Sequence, residues 1–147
     1  MKKLGLITIL FSIALAPFAH AEDSPVGLWK NIDDKTGKPK ALIRITDSGG
    51  ELQGKIERLF LEPEADKNPK CDKCEGVNKD QPIIGMMILF GLKKDGNEYT
   101  GGKILDPADG QLYRSKITPI ENYKKLNVRG YIGTPFLGRS QIWVREQ

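Results

Sequence analysis

The reactive side chains of this 147-residue sequence gather in three places. Cys71-Asp72-Lys73-Cys74 has the Cys-x-x-Cys spacing shared by thiol redox sites and by half of a zinc site. Asp106 and Asp109 flank a short Pro-Ala segment, a spacing open to a paired acid and base or to calcium. Arg129 and Arg145 alternate with apolar residues in the last part of the chain. One histidine, His20, is present.

Each group has a plainer reading. A redox Cys-x-x-Cys opens a helix whose dipole lowers the thiol pKa. Here the pair lies in a segment broken by Pro63, Pro69 and Pro82, and Glu75-Gly76-Val77-Asn78 starts a helix poorly. Zinc needs about four ligands and two cysteines supply half of them. In an exported protein the pair therefore reads as a disulfide, Cys71 to Cys74, that fixes local shape, since a loop so small gains little from closure. Calcium takes about six to eight oxygens, more than Asp106-Pro107-Ala108-Asp109-Gly110 offers, so its aspartates are expected to bond turn amides. No metal or other cofactor is expected. Arg129 either faces water or points inward to meet an anionic ligand group or a carboxylate.

The amino terminus removes further chemistry. Met1-Lys2-Lys3, the uncharged apolar run Leu4–Phe18 and Ala19-His20-Ala21 form a secretory signal with a small-x-small cleavage pattern. Residues 1–21 are thus expected to be cleaved and 22–147 to form one domain, periplasmic or secreted, with no transmembrane segment after cleavage. Loss of Lys2, Lys3 and His20 lowers the formal charge of +4 by two and leaves no imidazole. That excludes a Ser-His-Asp triad, a Cys-His pair, histidine-ligated zinc and histidine-bound haem within one chain. A near-neutral mixed surface gives no basic face for nucleic acid, and Lys93-Lys94 and Lys124-Lys125 read as solvated turns.

The 16 Gly and 9 Pro disfavour long helices, since each costs about 1 or 3 kcal/mol in a helix interior. Periodicity gives about eight strands: Val26–Ile32, Ala41–Ile45, Leu52–Leu61, Ile83–Leu92, Glu98–Leu105, Gln111–Ile120, Lys124–Ile132 and Gly138–Arg145. Leu52–Leu61 also suits a helix by propensity, but Gly54 and flanking turns favour strand; it places Ile56, Arg58 and Phe60 on one face, with Leu59 and Leu61 breaking the pattern. No helical pattern long enough for a parallel crossover separates the strands, so antiparallel hairpins remain. The expected fold is an all-β, eight-stranded up-and-down barrel, with a β-sandwich as the alternative. In a closed meander the first and last strands adjoin, so Arg145 can lie over Trp29 and lock the seam. On the last strand Arg139, Gln141 and Trp143 share one face and Ser140, Ile142 and Val144 the other; either set can be inward.

The Gly27-Leu28-Trp29 opening and the late Arg145 resemble the lipocalin signature. PVGLWKN, CDKCEG, KDQPIIGMMIL, YTGGKILDPADGQLYRSKI and LNVRGYIGTPFLGRSQIWVR together resemble a family of small exported bacterial proteins classed as a domain of unknown function. The resemblance implies a lipocalin-like barrel in the periplasm or beyond it, and no established reaction.

Three functions are then in competition. The first is a binding module holding a small, mainly apolar or amphipathic molecule, with or without an acid group for an inward arginine to meet. Trp29, Arg58, Met86, Tyr113, Arg129, Gln141 and Trp143 are its candidate contacts. The second is a structural or interaction module in which the 62–82 loop meets an envelope protein partner and Asp66–Asn78 is dispensable for folding. The third and weaker reading, which the sequence leaves open, is an enzyme using only carboxylates such as Glu57, Asp106 or Asp109; the expectation is a protein without catalysis.

Overall fold

A computed structural model describes residues 23–146; the expected signal and cleavage point, with His20, lie outside them. Eight strands pair antiparallel in sequence order and close on themselves, which decides for the barrel over the sandwich. They are β1 (Gly27–Ile32), β2 (Pro39–Ser48), β3 (Glu51–Leu59), β4 (Met87–Asp95), β5 (Glu98–Asp106), β6 (Gln111–Ile120), β7 (Lys125–Tyr131) and β8 (Gly138–Glu146). Closure sets Trp29 opposite Arg145 and Asn31 opposite Trp143. No helix among the described residues is long and apolar enough to cross a membrane.

Several strand bounds differ from the sequence expectation, those of β2 and β4 by the most, and β4 differs for local reasons. Ile83–Met86 precede the sheet: Gly85, at φ +91°, donates to the Ile56 carbonyl and Ile56 to that of Met86, so ladder pairing of β4 starts at Met87. At its other end β4 continues through Lys93-Lys94-Asp95, leaving Gly96-Asn97 as the turn.

Alternation places Ala41, Ile43 and Ile45 of β2 inside and Arg44 outside, where it pairs with Glu57 at 2.7 Å. On β3 the alternation slips. Leu42 pairs with Arg58 but Ile43 with Ile56, so Glu57 is an extra residue, a β-bulge. The bulge turns Arg58 outward and Leu59 inward, contrary to the face the simple period assigns to Arg58.

The two halves of the barrel differ. Near the β1 start the interior is filled: Trp29, Ile45, Leu52, Leu92, Ile117 and Leu126 are buried, each contributing about 1.5–3 kcal/mol of apolar burial. The other half carries the longer connections, including residues 60–86, a strap between β3 and β4. Within the strap Cys71 N–H donates to the Gln81 carbonyl, Asp80 N–H to that of Cys71 and Ile83 N–H to that of Pro69, and Gly76–Asn78 makes a single 3-10 turn. Cys71 and Cys74 form the expected disulfide, buried among the core side chains. The strap presses on the β5–β6 turn so closely that a Cβ at Gly110, whose φ is +74°, would meet the Lys73 carbonyl oxygen at 1.9 Å. It is part of the folding unit, which removes the basis for treating Asp66–Asn78 as dispensable.

Candidate functional site: a chamber open at one end

One end of the barrel is shut by Arg145. Its guanidinium carbon lies 4.3 Å from the centroid of the Trp29 ring, and it donates to the carbonyls of Tyr123 (2.9 Å), Val26 (3.1 Å) and Ser24 (2.5 Å). Trp29 in turn donates its indole N–H to the Pro25 carbonyl at 2.8 Å. Glycine at position 27 leaves room for this cap, since a Cβ there would sit 2.8 Å from an Arg145 terminal nitrogen.

The opposite half holds a cavity of about 500 Å³. Its belly is aliphatic: Ala41, Ile43, Ile56, Leu59, Ile88, Ile104 and Val128 line it, with Trp143 facing it from β8. At roughly 30 Å³ for a water-sized group, it has room for on the order of 15 non-hydrogen atoms. Around the entrance Ile132 and Leu137 are 60% and 71% exposed and Phe136, between them in the β7–β8 loop, is 94% exposed. This apolar lip sits where a ligand would enter.

Polar groups occupy the β1–β8 wall and the rim. Asn31, buried on β1, donates Nδ2 to Gln141 Oε1 at 2.6 Å. Gln141 Nε2 reaches Asp34 Oδ1 at 3.4 Å. Arg139 donates Nε to both Asp34 oxygens (2.9 and 2.7 Å) and its Nη2 to Oδ1. That hydrogen bonding holds the Asp34 carboxyl below its usual range, against a smaller opposing effect of desolvation, and raises the Arg139 pKa. Lys40, also at the rim, lies 3.6 Å from Asp33. The backbone N–H groups of Thr36 and Lys35 bring Asp33 down to about 2. Across the entrance Asp106 accepts from Ala108 N–H and Asp109 from Gln111 N–H, the expected turn chemistry. Tyr113 donates its hydroxyl to Asp109, and that carboxylate pushes the phenol up to about 12.

Of the residues singled out from sequence, the fold brings Tyr113, Gln141 and Trp143 to the chamber. Trp29 lies beneath the Arg145 cap instead. Arg58, turned out by the β3 bulge, sits 5.2 Å from the Phe60 ring centroid. Arg129 faces outward, donating to the Pro135 carbonyl (2.6 Å) and Ser140 Oγ (3.0 Å). Met86 is buried ahead of β4, away from the chamber wall. Asn31, Asp34 and Arg139 were not among the sequence candidates. Their signal is weak because Asn31 and Asp34 meet β8 partners more than 100 positions away, a contact that depends on barrel register.

Comparison with known proteins agrees with this architecture. The protein HP1028 from Helicobacter pylori, whose structure is described as belonging to the lipocalin family, is similar with a TM-score of 0.71 over 84% of each chain at 16% identity. No curated protein matches the chain. Residues 27–145 match a family described as "Uncharacterized protein conserved in bacteria (DUF2147)", and the span from the glycine of the cap to its arginine makes this chain a member of that family.

Proposed function

We propose that the protein is an exported carrier that holds one small, mainly apolar molecule in the open half of its barrel and acts by binding, without catalysis. The observation that carries this reading is the aliphatic chamber of about 500 Å³, closed at one end by the Arg145 cap and opening at the other through an apolar lip. That volume lies within the range of small-molecule sites, roughly 300–1,000 Å³, and an eight-stranded barrel can hold one such ligand.

Magnitudes set the expected affinity. Twelve buried methylenes at about 0.8 kcal/mol each give about 10 kcal/mol gross. Subtracting about 4 kcal/mol for lost freedom of motion leaves roughly 6, a Kd of tens of micromolar. The test is titration with 1-aminoanthracene, an apolar dye that brightens out of water. Saturable binding at about one dye per chain is expected. Leu59→Trp, which places an indole in the chamber, should weaken binding, whereas Tyr131→Trp on the outer wall should not. A folded protein that binds no dye saturably, or equal binding by the two variants, overturns the proposal.

A further inference from the structure

The rim and wall of the chamber carry cations that are already occupied. Arg139 is held by both oxygens of Asp34, and Lys40 lies beside Asp33. Asp106 and Asp109 add two carboxylates to the same entrance, with Asp109 facing the Tyr113 hydroxyl. A carboxylate on an entering ligand would meet these acids and would have to compete with Asp34 for Arg139, or with Asp33 for Lys40, to gain a counter-charge.

Deeper in the wall the chemistry is neutral. Asn31 is 7% exposed and lines the chamber. Its Nδ2 goes to Gln141, while among the described residues nothing donates to its carbonyl oxygen. That oxygen is also absent from the polar atoms sealed within the protein, so it opens onto the cavity. An acceptor that opens onto the chamber with no protein donor is available to one ligand hydroxyl or amide N–H. Gln141 stands beside it with its own amide.

We infer that the chamber selects a ligand with an uncharged hydrogen-bonding head, a hydroxyl or an amide on an apolar body, held by Asn31 and Gln141, and that the Asp34–Arg139 pair excludes carboxylates. This deepens the proposed binding role and rests on it. The arginine that faces the chamber is thus a closed partner for an acid rather than an open one.

Three ligands sharing one tail separate the possibilities: 1-decanol, decanoate and decylammonium, each competing at neutral pH against 1-aminoanthracene on the full-length mature chain. Decanol should displace the dye at a concentration about tenfold or more below either ion. Asn31→Leu should weaken decanol about three- to tenfold and leave decanoate nearly unchanged. Asp34→Asn, at the half-exposed rim, should strengthen decanoate by freeing Arg139, and it keeps the test alive if Asn31→Leu does not fold. Dye binding with decanoate or decylammonium as strong as decanol, with none of the three competing, or with decanoate unimproved by Asp34→Asn, overturns this inference and leaves the carrier reading standing. Failure of the dye itself to bind overturns the carrier reading, and this inference with it.

Discussion

Arg145 lies across the Trp29 indole, its guanidinium carbon 4.3 Å from the ring centroid, and the same guanidinium gathers carbonyls from Ser24, Val26 and Tyr123. One side chain thus ties together the incoming segment, the first strand and the β6–β7 turn. A cation–π contact contributes about 0.5–2 kcal/mol and a charge-assisted hydrogen bond about 1.5–3. Arg145→Met, which keeps much of the apolar stem, should lower unfolding free energy by on the order of 2–4 kcal/mol, read from urea denaturation. Gly27→Ala should destabilise the protein as well, because its Cβ would enter the guanidinium's space. An Arg145→Met protein as stable as wild type would contradict this account of the cap.

The Cys71–Cys74 disulfide lies in the strap, and neither cysteine takes part in the pairing of the barrel strands. Closing so short a loop is worth about 2 kcal/mol on the chain-entropy model. Replacing both cysteines by alanine should speed hydrogen exchange at the Cys71, Asp80 and Ile83 amide positions, whose bonds lie within the strap. Amides of β6 and β7 should keep their protection. Uniform loss of protection around the barrel would show that the disulfide supports the whole fold.

Acid should loosen the β1–β2 turn in a defined window. Asp33 and Asp34 both have native pKa values below the ordinary aspartate value of 3.8, the first about 2 by virtue of the Thr36 and Lys35 N–H groups. Ionised, they favour the folded turn at pH above 3.8, and that contribution disappears as pH falls through the native values. Titration of the Asp33 carboxyl carbon by NMR should give a midpoint near 2, with the Lys35 and Thr36 amide protons following the same curve. A midpoint at 3.8 or above would remove the hydrogen-bonded turn from the description.

The closed end of the molecule is legible in the sequence because its parts are local signals. Gly27 and Trp29 sit two apart at the start of a strand, Arg145 stands late in the last one, and a closed meander must bring them together. The open end is far less so. Arg58 is assigned to the wrong face by a strict period of two, and the bulge at Glu57 that corrects it shows in the sequence only as the misplaced Leu59. On β8 both faces carry apolar and polar residues, so alternation alone does not choose between them. Pairing of Asn31 with Trp143 does, and it sends Gln141 and Arg139 inward. The polar wall joins Asn31, Asp34 and β8 across register, a relation that no window of the sequence contains.

The open half of the barrel can be observed directly. In a protein with labelled isoleucine δ1 methyls, titration with 1-decanol should shift Ile43, Ile56, Ile88 and Ile104, which line the chamber, along one saturable curve. Ile142, on the outer face of β8 opposite Asn127, should stay in place. Saturable shifts at the four lining residues are the result this account predicts; no shift there, or shifts confined to Ile142 and the outer wall, would contradict it.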